Sequence, residues 1–135
     1  MIHYSTNKKI SADAYISLLK SNTLGERRPL NDKNRIEKML ENADLVVSAW
    51  DGGELVGVAR SVTDFVYCCY LSDLSVRGEY QHQGIGIELI RQTRKCLQEG
   101  TSIILLAAPQ AYEYYPHIGF TKHPSAWVLR YHEDI

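Results

Sequence analysis

The chain has 135 residues, a length that suits one domain with one hydrophobic core over residues 1–135. Fifteen Lys and Arg against 16 Asp and Glu give a net charge of -1, so the chain lacks the basic excess that would bind nucleic acid or an anionic membrane surface. No apolar run approaches the roughly 20 residues that cross a membrane, and Met1 to Ser11 lack the order of a signal peptide. We therefore expect a cytoplasmic globular protein.

The first third of the chain predicts one strand and two helices. Ile2 to Tyr4 is typical of a short strand. Residues Ala12 to Ser21 place apolar side chains on one helical face behind the capping candidate Ser11, and Lys33 to Asn42 do so behind Asp32. Both helices are expected to be amphipathic.

The middle of the chain predicts a hairpin followed by a long strand. Leu45 to Trp50 and Leu55 to Val62 are strand-like and flank Asp51-Gly52-Gly53, whose glycines tolerate the positive φ angles of a tight turn. Phe65 to Val76 is rich in aromatic and β-branched residues, which favour a strand.

The last third predicts helices between further strands. Gly84 to Gly100 has helical periodicity, and Thr101 to Ala107 is an apolar strand candidate. Ala111 to Tyr115 suits a short helix, and Phe120 to Tyr131 is long enough for one or two closing strands. The order of the elements indicates a mixed α/β fold around a central sheet.

The three cysteines do not form a binding pattern. Cys68 and Cys69 are adjacent in a strand-like run, so their side chains point to opposite faces, and Cys96 lies in a helical stretch. We expect neither a disulfide nor a bound metal.

The strongest chemical signal is a glycine-containing turn that follows a strand and opens a helix, with the sequence Gln81-His82-Gln83-Gly84-Ile85-Gly86. The first N–H groups of a helix lack internal acceptors and lie at the positive end of its dipole, and glycine lets an anion approach the backbone. A diphosphate is therefore expected here, although two glycines alone would also suit a loop that only turns the chain.

Two common nucleotide sites do not fit this turn. A Rossmann turn would need a third glycine where Leu89 stands and an acidic residue about 20 positions further on, but residues Thr101 to Gln110 contain none. A Walker loop would need Gly-Lys-Ser or Gly-Lys-Thr, which does not follow the glycines.

The turn resembles the hallmark loop of the GNAT superfamily, which reads Gln or Arg, two residues, Gly, one residue, then Gly or Ala, here Gln81, Gly84 and Gly86. Residues Tyr70 to Val76 look like the central strand of that family, and Ala111 to Phe120 resemble its second signature. The chain departs from the family pattern at Ala108, where Asn is common, and at His117, where Lys is frequent.

The resemblance implies a GNAT fold, with a mixed, mostly antiparallel twisted sheet of about six to seven strands and about four flanking helices. It also implies acetyl-CoA as co-substrate and a primary amine of a small molecule or peptide as acceptor. A CoA-binding regulatory module of the same fold that transfers nothing is the alternative, and a homodimer is compatible with both.

The resemblance further implies which residues would contact CoA. The pantetheine arm would lie beside the central strand, and the diphosphate would bind in the loop and at the start of the helix. A backbone N–H near Leu74 would face the thioester carbonyl. The expected cofactor-binding residues are Leu74, Ser75, Val76, Gln81, His82, Gln83, Gly84, Ile85, Gly86 and Ile87.

Two catalytic residues are implied. Tyr115 matches the family tyrosine that reaches the CoA sulfur and would act as general acid, or would only pack on the sheet as an aromatic residue. Tyr114 is expected to pack on the sheet, because adjacent helix residues do not share a face. Asp73, on the central strand, would act as general base directly or through water, or would only orient a neighbour.

Two roles are considered for each of the other ionisable residues near the motifs. His82 and His117 are expected to bind ligand or serve the structure. Glu26, Arg27 and Arg28 would meet a charged substrate or form a solvated cluster.

Overall fold

The computed structural model describes residues 1–135 and contains four α-helices and five strands. The strands are β1 Ile2–Ser5, β2 Leu45–Asp51, β3 Glu54–Thr63, β4 Cys68–Val76 and β5 Ser102–Ile104. The helices are α1 Ala12–Lys20, α2 Lys33–Asn42, α3 Ile85–Lys95 and α4 Tyr114–His117. No helix is long and apolar enough to span a membrane.

Local chemistry explains where the first helices and the hairpin begin. The Ser11 hydroxyl accepts the Ala14 N–H at 3.1 Å, and Asp32 accepts the Arg35 N–H at 3.1 Å, so both predicted caps are confirmed. Gly52 turns the β2–β3 hairpin with φ +60.

One sheet, in the order β1-β2-β3-β4-β5, forms the centre of the molecule. Its first four strands pair antiparallel, and β5 pairs parallel with β4, so the expected mixed, mostly antiparallel sheet with four helices is confirmed. Helix α1 packs on one face, against Trp50 and Val58, and α3 packs on the other. Gly57 permits the close approach of α3, because a Cβ there would lie 3.1 Å from Leu89.

The predicted count of six to seven strands is wrong, because residues 120–131 form no strand. Among the backbone groups after Phe120, only the Glu133 N–H bonds another backbone group, the Arg130 carbonyl at 3.0 Å. The apolar side chains there stay exposed, with Trp127 at 92%. β-Propensity stabilises a strand only where a neighbouring strand supplies pairing and packing, and this segment has neither.

Candidate active site

A cavity of about 550 Å³ opens where β4 and β5 diverge. The two strands pair only from Cys68 to Tyr70, so the rest of β4 has no strand on that side. The cavity is lined by the α1–α2 connection, β4, the loop before α3, the first turn of α3, the segment after β5, and α4. It therefore brings the two sequence signatures together.

The backbone of β4 is open along this cavity. The Arg77 N–H donates to the Val56 carbonyl at 2.8 Å, so in this part of β4 the odd-numbered residues bond β3. The N–H and C=O groups of Leu74 and Val76 consequently point to the opposite edge, where β4 no longer pairs with β5. Ser75 was predicted with them, but it directs its backbone groups to β3.

Two side chains of the protein form hydrogen bonds with the backbone at this edge of β4. The Val76 carbonyl accepts from Asn22 Nδ2 at 3.1 Å and from Gln81 Nε2 at 3.0 Å. A carbonyl oxygen has two lone pairs, so that acceptor is saturated, whereas the Val76 N–H is not involved in these bonds. The N–H and C=O groups of Leu74 are therefore the part of this edge that is most available to a ligand.

The glycine-containing turn ends at the start of α3. Gly84 caps the helix with φ +85, a conformation that L side chains rarely adopt, and His82 also has a positive φ of 64. The first helical bond joins the Glu88 N–H to the Gly84 carbonyl at 3.1 Å, which leaves the N–H groups of Ile85, Gly86 and Ile87 ahead of it. These donors fit the diphosphate of CoA.

Most predicted loop residues line the cavity, namely Gln81, His82, Gly84, Ile85, Gly86 and Ile87. Gln83 does not, and its side chain donates instead to the Glu79 carbonyl at 3.3 Å. The turn therefore presents one face to the cavity, with Gln83 outside it.

Three tyrosines line the cavity, and their hydroxyl groups differ. Tyr80 donates to Asp51 at 2.6 Å, and the Tyr114 hydroxyl lies 2.8 Å from where a Cβ on Gly86 would be. The Tyr115 hydroxyl has no hydrogen-bond partner in the chain, and its ring packs edge-on against Phe120. Helix α4 has only four residues, and both Tyr114 and Tyr115 line the cavity.

Burial, with a smaller effect of neighbouring Tyr114, raises the pKa of Tyr115 to about 12. The phenol is therefore protonated at neutral pH and available as a hydrogen-bond or proton donor.

Asp73 lies beneath the cavity and does not line it. Its carboxylate is fully buried, and Arg28 Nε donates to Oδ1 at 2.6 Å while Arg60 Nε donates to Oδ2 at 2.7 Å. The Tyr15 hydroxyl also donates to Oδ2, and Ser72 donates to Oδ1 at 3.3 Å. All the acceptor sites of the carboxylate are thus occupied.

Burial would raise the pKa of Asp73, but its hydrogen bonds with Arg60 and Tyr15 and the charges of the two arginines outweigh burial and hold that pKa below its ordinary value. The opposite holds for Tyr15, whose pKa is raised well above its ordinary value by burial and by the Asp73 charge. A buried, saturated carboxylate with a lowered pKa is poorly suited to accept a proton.

Sequence reasoning missed Tyr15, Arg60 and the contact of Arg28 with Asp73. These partners are separated from Asp73 by 58, 13 and 45 residues, so no local spacing connects them. One signal was present, because Arg60 interrupts the apolar strand Leu55 to Val62, and a charge at a buried position requires a partner.

Residues 27–129 match the family described as "Acetyltransferase (GNAT) domain", and the chain therefore belongs to the GNAT acetyltransferases. Members of this family use acetyl-CoA as co-substrate. An uncharacterised N-acetyltransferase of Gracilaria tenuistipitata var. liui, named ycf52, is 29% identical over 126 residues, which span 87% of this chain and 69% of the relative. A histone acetyltransferase of Glycine max, TAP1, is 32% identical over 73% of this chain and 47% of its own length.

Solved structures share the fold. A GNAT family acetyltransferase from Streptococcus pneumoniae TIGR4 superposes with a TM-score of 0.74 at 21% identity, covering 96% of this chain and 99% of the other. An aminoglycoside acetyltransferase from an uncultured soil sample, in complex with sisomicin, gives a TM-score of 0.68 at 19% identity, covering 98% and 97%. The GNAT fold of this chain is thereby confirmed.

Proposed function

We propose that this chain transfers an acetyl group from acetyl-CoA directly to a primary amine of a small molecule or peptide, in the cytoplasm and without a metal. The observation that carries the proposal is the open edge of β4, which runs from Leu74 towards the free N–H groups at the start of α3 inside one cavity. An extended amide chain pairs with such an edge, and a diphosphate suits such a helix terminus. Names of relatives that include histone and aminoglycoside acetyltransferases agree with an amine acceptor.

The residues divide the chemistry between them. Acetyl-CoA supplies an acetyl thioester, and the Leu74 N–H would donate to its carbonyl oxygen as that oxygen becomes negative. The amine nitrogen forms a bond to the acetyl carbon, the carbon–sulfur bond breaks, and Tyr115 donates a proton to the departing sulfur. The amine loses its own proton to water or to His82 or His117, which line the cavity.

Asp73 acts through the residues that it holds. Its hydrogen bonds fix Arg28, which in turn donates to the Ser72 carbonyl at 2.6 Å, two residues before Leu74 on β4. We therefore assign Asp73 a positioning role for the edge of β4 rather than the role of general base.

Two measurements test the proposal. Millimolar CoA should raise the melting temperature, because a ligand that binds only the native state stabilises it by mass action. Acetyl-CoA should then release free CoA thiol in the presence of some members of a panel of primary amines. Absence of any thermal shift would refute the CoA site, and a shift without thiol release from any amine would favour a non-catalytic CoA-binding module.

A further inference from the structure

We propose that the acceptor amine also carries an anionic group, such as a carboxylate, which binds to Arg27 and Arg28 at one end of the cavity. This inference rests on the proposed acetyl transfer and adds the chemical class of the acceptor.

The charges that line the cavity have one sign. Arg27 and Arg28 line it, and neither an Asp nor a Glu does. Glu26, next to them in sequence, is exposed and does not line the cavity. A polyamine or an aminoglycoside would bring several cations into a cavity without a counter-charge, whereas an anionic group would find two guanidinium groups.

The cluster beneath the cavity has an excess positive charge. Arg28 and Arg60 share the single carboxylate of Asp73, and Tyr15, its other partner, is neutral at physiological pH. Buried charges require compensation, so one guanidinium lacks a full counter-ion. Arg28 is the more exposed of the two, at 18% of its side chain against 9% for Arg60, and it is the one that faces the cavity.

Arg28 has donors to spare. Its Nε donates to Asp73, Nη1 to the Arg27 carbonyl at 2.9 Å, and Nη2 to the Ser72 carbonyl at 2.6 Å. A guanidinium has five N–H groups, so one on each terminal nitrogen has no acceptor in the chain. Charge-assisted bonds from a fixed guanidinium are the usual way in which proteins bind carboxylates.

This end of the cavity is distinct from the diphosphate end. Arg28 bonds β4 at Ser72, whereas the loop before α3 bonds β4 at Val76 through Gln81. Four residues of strand separate these points by about 13 Å, at roughly 3.3 Å per residue. Leu74 lies midway, about 7 Å from Ser72 on the same scale, so a short spacer would join the amine to the anionic group.

Matched acceptors test the inference. The series glycine, β-alanine, 4-aminobutyrate and 5-aminopentanoate is compared with the alkylamines and the α,ω-diamines of equal chain length, using thiol release from acetyl-CoA. One or more amino acids should exceed their alkylamine in kcat/KM by about 10-fold to 100-fold, the range of one hydrogen bond to a charged group. Diamines should be the poorest acceptors.

Two variants and a control assign the preference to the arginines. Arg27→Glu should reduce the preference at least tenfold and leave the KM for acetyl-CoA unchanged, and Arg28→Lys should reduce it while keeping the charge. Lys38→Glu makes the same charge change as Arg27→Glu at an exposed site outside the cavity and should leave the preference intact. Because Arg27 is exposed, its variant should fold even if Arg28→Lys does not.

A direct binding measurement completes the test. With CoA saturating, the preferred amino acid should raise the melting temperature of the parent and not that of Arg27→Glu. Equal rates and equal shifts for amino acids and alkylamines, or a preference for diamines, would overturn the inference while leaving acetyl transfer intact. Failure of the proposed function would differ, with no shift from CoA and no thiol release from any amine.

Discussion

Tyr115 lines the cavity and its hydroxyl has no hydrogen-bond partner in the chain, so the role of this single hydroxyl can be tested directly. Tyr115→Phe removes the hydroxyl and keeps the ring that packs on Phe120, so turnover should fall on the order of 100-fold if the phenol is the general acid. The affinity for acetyl-CoA and the melting temperature should change little. Steady-state kinetics with the best acceptor provide the measurement.

Tyr112→Phe is the matched control, since Tyr112 is 67% exposed and does not line the cavity. Full turnover in Tyr115→Phe would make Tyr115 a structural aromatic residue. Because the pKa of Tyr115 is raised to about 12, its loss should be visible at every pH from 6 to 10 rather than only on the alkaline side.

We expect replacement of Asp73 to lower the stability of the fold. Asp73→Asn removes the only carboxylate that Arg28 and Arg60 share, so the free energy of unfolding should fall by about 3–5 kcal/mol, the cost of breaking a buried ion pair on one side. Asp13→Asn breaks an exposed pair with Lys33 and should cost at most about 1 kcal/mol. Urea unfolding measures both, and equal losses would contradict a central role for the Asp73 cluster.

At the scale of elements, the start of α3 depends on one backbone angle. Gly84→Ala places a Cβ on a residue with φ +85, where it meets no neighbouring atom, so the whole cost is backbone strain of about 1–2 kcal/mol. Gly53→Ala also adds a Cβ in open space, but without a positive φ, and should be near neutral. Thermal unfolding of the two variants separates the strain of the positive φ from the effect of adding a Cβ in open space, and similar melting temperatures would refute the argument.

Helices and turns could be predicted from the sequence where the interactions that form them lie within a few residues of each other. Ser11 and Asp32 cap helices through N–H groups three residues away, and Gly52 turns the hairpin within a few residues. The strands expected between Phe120 and Tyr131 failed because pairing needs a distant partner that composition does not reveal. Likewise β4 begins at Cys68 rather than Phe65, since Asp64 accepts N–H groups from Val66 to Cys68 in a turn.

At the scale of the whole molecule, buried titratable groups predict how stability depends on pH. Asp73 has a lowered pKa in the folded state, so its contribution is present above the unfolded value of about 3.9 and is lost as pH falls below it. Tyr15 has a raised pKa, so its contribution is present below the unfolded value of about 10 and is lost as pH rises above it.

Stability should therefore be flat from about pH 5 to pH 9 and should fall on both sides. Urea unfolding from pH 3 to pH 11 measures this curve. In Tyr15→Phe the alkaline fall should be shallower, and undiminished stability of the parent at pH 11 would contradict the prediction.

The family, the main helices, the hairpin and the turn at Gly84 could be predicted from the sequence, because each depends on residues close together in the chain or on a motif read in order. Two features became visible only in the folded chain. Strand β5 pairs with β4 no further than Tyr70, which leaves the Leu74 backbone exposed, and Asp73 binds Arg28, Arg60 and Tyr15. These contacts join residues from distant parts of the chain, and the buried carboxylate is stable only because all of its partners meet at one point in the fold.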